Sequence, residues 1–303
     1  MSAPSVFSDP PALTGIRAAS AICRAVPDRW LPGVERVAGR VAARALTGRR
    51  QQVERNIARV YGDRLAPRVI DAIVLETFTS YARYWLESFR LPKTSAQEID
   101  DGVTITGFDA VTDALDAGNG VIVALPHLGG WEWAAFWLAV VHDIPVTAVA
   151  EALEPPELGD WFLSLRSSLG MEIHPLGPGA GTACIRALKD NRVVCLVSDR
   201  DLVGDGIEVS FFGERTTLPG GPATLALRTG APLVTAATYF DGRRHRFVVD
   251  EPIEVSRRGR LREDVTRITA EVAERLESLI REAPEQWHLL QPNWPSDRGS
   301  SAP

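Results

Sequence analysis

Residues 121–125 and 193–197 read "VIVAL" and "VVCLV", two runs of five with no polar side chain. A strand with one wet face alternates apolar and polar residues. An unbroken run is expected where both faces are covered, as in a parallel sheet packed between helices. Other short β-rich runs, "GVTITGF", "PVTAVAE" and "MEIHPL", add further strands. Between them, the spacing predicts helices over 109–117, 131–142, 158–169 and 181–190. Strands alternating with helices point to right-handed βαβ units. Beyond Asp199, "IEVSFFG", a helix from Pro222 to Arg228, "PLVTAATYF" and "HRFVVDEPIEV" suggest mixed strand directions, closed by an amphipathic helix over 261–282. The expected fold class is α/β, a central, mostly parallel sheet flanked by helices.

The beginning of the chain has another texture. Residues 12–26 and 33–48 are predicted to be helices separated by "PDRWLPG", and residues 67–90 a longer one stopped near Pro92. Residues 1–60 hold ten arginines and four acids, net +6, whereas the whole chain is −6. The remaining residues therefore carry −12, which disfavours a nucleic-acid partner and suits a basic first segment that meets an anionic membrane surface. Arg36, Arg40 and Arg44 fall four apart on one helical line, as in helices lying in a lipid interface. No apolar run reaches the roughly 18–20 residues of a membrane span, and no secretory signal is seen. Three cysteines without metal-ligand spacing are expected to be reduced, so neither a disulfide frame nor a metal site is expected. The expected organisation is an N-terminal basic helical region (1–66), one α/β domain (67–295) and a disordered tail (296–303).

Chemistry concentrates in "ALPHLGGWEWAA". His127 lies just beyond the strand "VIVAL", where ligands of open α/β sheets collect. A tight loop through Gly129 and Gly130, followed by a helix from about Trp131, would let His127 and Glu132 face one crevice. There His127 would serve as general base. "SDRDL" follows the second apolar run, so Asp199 is a second candidate to orient the imidazole, and Arg200 and Asp201 are candidates to pair with each other or with substrate. Which acid meets the ring stays open at this stage, and a buried structural histidine is the competing explanation. Gly220 and Gly221, ahead of a helix, offer amides for an anion, and Arg166 lies on a helix beside the crevice. "GPGAGT" lacks P-loop and Rossmann spacing and is expected to be a loop. No nucleophile motif of a serine hydrolase or β-lactamase type appears.

"PHLGGWE" resembles the His-x4-acid motif of the lysophospholipid acyltransferase superfamily, and "VSFFGERTTLPGGPATLA" resembles a stretch of its lipid A late acyltransferase branch. "SYARYWLESFRLP", "ALPHLGGWEWA", "SDRDL" and "EQWHLLQPNW" are similar to the actinobacterial phosphatidylinositol mannoside acyltransferases. The likeness runs from about residue 50 to 295. It implies a peripheral, monotopic enzyme on the cytoplasmic face of the plasma membrane. Such an enzyme moves a long acyl chain, typically palmitoyl, from acyl-CoA to the 6-hydroxyl of the mannose on the inositol 2-position of phosphatidylinositol mono- or dimannosides. It implies His127 as base, Glu132 and Asp199 as site acids and Arg166 as a site arginine; Arg200, Glu151, Gly220 and Gly221 join Arg166 as candidate substrate-binding residues. Acyl-CoA is then a co-substrate and no cofactor is expected. Relatives often carry Asn at Gly130 and Asp at Glu132, and one related member carries Glu at Asp199. Rival readings are another glycolipid or lysophospholipid acceptor, an acyl-thioester hydrolase, and a non-catalytic lipid-binding protein.

Overall fold

The structure is a computed structural model that describes residues 20–91, 94–151, 156–168 and 170–298. After a helical stretch at 20–25 come α1 (Leu31–Ala45), α2 (Thr47–Tyr61) and α3 (Pro67–Arg90). Pro67 sits in the first turn of α3, where its missing N–H costs no helical hydrogen bond. Of the helix expected over 12–26, residues 20–25 are helical and the earlier part lies outside the described residues. The expected 33–48 helix ends at Ala45, and α2 follows after one residue. The arginine- and glutamine-rich α2 was not expected, although Val53, Ile57, Val60 and Tyr61 recur at helical spacing. Val53 and Ile57 of α2 join Ala43, Val74, Phe78 and Leu290 in one apolar cluster. The N-terminal helices therefore share a core with α3 and with the end of the chain, and the charge step near residue 66 is not a packing boundary.

The α/β part follows in the order α4 (Ala96–Asp101), β1 (Val103–Thr106), α5 (Asp109–Asp116), β2 (Val121–Leu125), α6 (Trp131–Phe136), β3 (Val146–Ala150), α7 (Pro156–Ser168), β4 (Met171–Pro175), α8 (Ala180–Lys189) and β5 (Val193–Val197). Then come β6 (Ile207–Phe211), β7 (Glu214–Leu218), α9 (Gly221–Thr229), β8 (Leu233–Asp241), β9 (Arg244–Val249) and α10 (Leu261–Glu282). Seven strands form one sheet in the order β1-β9-β8-β2-β5-β3-β4. Only the β8–β9 hairpin is antiparallel within it. β2 lies between β5 and β8, and all five of its residues are buried. The unbroken run is thus the sheet's centre. Alternate residues feed two cores: Ile122, Ala124 and Val194 pack toward α8–α10, whereas Val121, Val123 and Val193 pack toward α5 and α6.

Three local expectations change. The helix over 131–142 is α-helical only to Phe136 and continues as one wide five-residue turn, Trp137–Val141. "DEPIEV" after Asp250 forms no strand. The tail expected to be disordered from 296 is folded through Arg298, because Asp297 is buried and receives a charged hydrogen bond from Arg59 at 2.7 Å. Residues 299–303 lie outside the described residues.

Candidate active site

β2 and β5 run parallel in register, Leu125 beside Val197, so the residues that follow each strand emerge at the same edge. His127 and Asp199, 72 positions apart, meet there. The imidazole Nδ1 is 2.7 Å from Asp199 Oδ1. The His127 backbone N–H donates to Oδ2 at 3.2 Å. Asp199 is fully buried and the His127 side chain is 35% exposed. Burial pushes the Asp199 carboxyl up. The adjoining His127 charge, with hydrogen bonds from His127 and Trp287, more than offsets this and holds it below the usual aspartate range. An ionised Asp199 can only accept, so it fixes the tautomer with the proton on Nδ1. Nε2 is then a bare lone pair with no protein partner among the described residues.

The loop between His127 and α6 depends on glycine. Gly129 has φ +55°, and a Cβ there would lie 2.2 Å from the Thr238 carbonyl oxygen. At Gly130 a Cβ would come within 2.9 Å of the buried His245 ring, whose Nε2 is 2.8 Å from Glu87 Oε2. That ring occupies the space a larger side chain at position 130 would need.

The ring of His127 opens on a cavity of about 660 Å³, within the range of about 300–1,000 Å³ usual for small-molecule sites. Its inner wall is apolar, with Ala148, Ile173, Ile185, Leu196 and Leu225. Arg166, Arg200, Glu151, Gly220 and Gly221 also line it, so the five candidates for substrate contact stand around one cavity. Arg200 Nη1 is 3.9 Å from Glu151 Oε2, a loose pair that a charged ligand can enter. Asp201 does not pair with Arg200. It accepts from the amides of Val203, Gly204 and Gly206 and from Thr217 Oγ1, and so shapes the loop after β5.

Glu132 does not serve the imidazole. α6 turns it toward α3 and α7, where it is buried. Its Oε1 accepts from Arg166 Nε at 2.9 Å and from Arg166 Nη2, and Ser88 Oγ donates to Oε2 at 3.2 Å. Burial lowers the Arg166 pKa, but the charge of Glu132 beside it raises it further, so the guanidinium stays charged. Of the two acids in the expected site, one holds the His127 ring and the other anchors an arginine of the cavity wall.

Sequence reasoning missed the contribution of the last segment as a set of hydrogen bonds. Trp287 Nε1 donates to Asp199 Oδ2 at 2.7 Å, and Asn293 Nδ2 donates to the Asp199 carbonyl at 3.1 Å. The density of Trp, His and Asn in "EQWHLLQPNW", after the last amphipathic helix, was the available signal. His288 also lines the cavity, with Nε2 2.8 Å from Ser80 Oγ. Burial and the nearby His127 push its pKa down to about 3. An unfolded histidine titrates near 6.5, so on acidification the unfolded chain takes up a proton that the folded chain refuses. This contribution to stability is complete above about pH 6.5 and declines as pH falls, by roughly 2 kcal/mol at pH 5. His288→Gln is expected to flatten the fall in Tm between pH 7 and pH 5; an unchanged slope would assign that sensitivity to other groups.

A histidine–aspartate pair at the carboxyl edge of a parallel sheet, opening on a largely apolar cavity, is an arrangement suited to acid–base chemistry. The chain belongs to the bacterial lipid A biosynthesis acyltransferase family, whose model matches residues 15–296. It is 39% identical over 286 residues to the phosphatidylinositol mannoside acyltransferase of Mycolicibacterium smegmatis, covering 93% of this chain and 91% of that one. It is 40% identical over 260 residues to the protein of the same name from Mycobacterium tuberculosis, covering 83% and 79% of the two chains. The chain is an acyltransferase.

Proposed function

We propose that this acyltransferase moves a long acyl chain, palmitoyl in the reference case, from acyl-CoA to the 6-hydroxyl of the mannose on the inositol 2-position of phosphatidylinositol mannosides. The observation that carries the proposal is the imidazole of His127, held by Asp199 at 2.7 Å and turned toward the cavity. A sugar hydroxyl is a weak nucleophile. Nε2 takes its proton as the oxygen attacks the thioester carbonyl, and Asp199 stabilises the imidazolium that forms. When the tetrahedral intermediate collapses, the C–S bond breaks and the imidazolium returns the proton to the leaving thiolate. No acyl-enzyme is required. The two thiols in the α/β core suit this, since burial raises both: Cys184 above its ordinary value and Cys195 to about 12. The apolar inner wall suits the acyl chain, and the arginines suit phosphate groups.

The acceptor lipid resides in a membrane, and α1, with the Trp30 that precedes it, offers a face for it. Trp30, Val37 and Val41 are each about 60% exposed, and Arg36, Arg40 and Arg44 lie exposed beside them. We propose that this face docks the enzyme at the cytoplasmic leaflet with its arginines on anionic headgroups. No helix among the described residues is long and apolar enough to cross a membrane. Replacing the three arginines by alanine is expected to weaken co-sedimentation with phosphatidylglycerol vesicles on the order of 100-fold. Unchanged binding would remove α1 from the interface.

The direct test is turnover of radiolabelled palmitoyl-CoA with purified wild type and an acceptor panel: mono- and dimannosylated phosphatidylinositol, a lysophospholipid, and water alone. Label in the mannosylated lipids is expected. Label only in the lysophospholipid, or only in free fatty acid, would replace the proposed acceptor.

A further inference from the structure

Residues 286–298 cross the carboxyl edge of the sheet and bind both loops of the catalytic pair. The amide of Gly129 donates to the Gln286 carbonyl at 2.9 Å, and the amide of His288 donates to the His127 carbonyl at 2.7 Å. Trp287 and Asn293 hold Asp199 from the other side. The segment is itself anchored. The fully buried Asp297 side chain accepts from Gln52 Nε2 at 2.8 Å, from Arg59 Nη2 at 2.7 Å, and from the amides of Asn293 and Trp294. Asn56 Nδ2 donates to the Leu289 carbonyl at 2.7 Å.

The donors on the Asp199 carboxylate are unequal. Two of the three come from His127 itself, its ring Nδ1–H and its backbone amide. The third is the Trp287 indole. Among the described residues, the indole is therefore the donor that fixes the plane of the carboxylate independently of the histidine it must orient. The ring is rigid and wedged: Trp287 is 2% exposed and packs against Phe211, Phe212 and Trp294. We propose that Trp287 is a positioning residue for the base. Through Asp199 it keeps the His127 proton on Nδ1 and the Nε2 lone pair toward the acceptor hydroxyl.

The proposal rests on the base role given to His127, so its test has one arm that needs no acyl substrate. Trp287→Phe removes the donor and keeps most of the aromatic packing. Its kcat for acyl transfer is expected to fall about 10- to 100-fold, with KM for palmitoyl-CoA unchanged. In an Asp199→Asn background the same substitution should change kcat by less than about twofold, because a residue acting through Asp199 is not additive with its loss. A purely structural tryptophan would lower both backgrounds equally. The second arm is nitrogen NMR of histidine-labelled protein, with the His127 signal among five histidines assigned from a His127→Ala sample. Wild type is expected to show one tautomer, protonated at Nδ1, and Trp287→Phe an average of two. An unchanged tautomer, or additive losses of kcat, overturns the proposal. Failure of wild type to transfer palmitate to any mannosylated lipid overturns the function instead, and the tautomer comparison still decides the role of Trp287.

Discussion

His127→Ala is expected to lower acyl transfer by about 10²- to 10⁴-fold, the usual worth of a positioned general base. The loss belongs in kcat. The cavity is lined from several elements, among them α3, β3, β5, α8 and α9, and truncating the one ring of His127 leaves those walls in place. Asp199→Asn should be nearly as damaging. It preserves shape but lets Nδ1 lose its proton to the opposite tautomer, which turns a donor toward the acceptor hydroxyl instead of a lone pair. Because the two side chains act as a unit, the double variant should be little worse than the poorer single one. Both single variants should still sediment with anionic vesicles. Transfer retained within tenfold in His127→Ala would show that another group takes the proton.

The second large effect concerns stability. Arg166→Met removes the partner of Glu132, whose side chain is only 4% exposed. Breaking a buried ion pair from one side leaves an uncompensated charge and costs about 3–5 kcal/mol. Urea unfolding should show the midpoint drop, and the Glu132→Gln/Arg166→Met double variant should recover much of it, since it buries no charge. Glu132→Gln alone is expected to retain far more kcat than Asp199→Asn at a temperature where both are folded. Equal losses of kcat would restore Glu132 to the proton-handling role that its motif suggests.

The contrast between these two acids shows how far the sequence could be read. Both lie near His127 in motif terms, and Glu132 is the nearer along the chain. It is nevertheless Asp199 that meets the ring, because β2 pairs with β5 in parallel register and delivers both loops to one edge. α6, starting at Trp131, carries Glu132 away toward Ser88 and Arg166. Helix α2 went unread for another reason: its short stripe of Val53, Ile57, Val60 and Tyr61 is outnumbered by arginines and glutamines, and its buried face is plain once α3 and Leu290 are beside it. The ordered end went unread too, where a lone Asp297 in a polar tail becomes the acceptor for four donors.

The residue pattern by itself determined which segments are buried on both faces, that they alternate with helices, and that a histidine stands at a strand's end. These are properties of periods of two to four residues, because burial acts on each side chain where it stands. The partner of that histidine, the clamp of Trp287 and Asn293 upon Asp199, and the diversion of Glu132 were decided by tertiary structure. They join residues 34 to 94 positions apart. Only the order of strands in the sheet brings such residues within hydrogen-bonding reach, and no local period encodes that order.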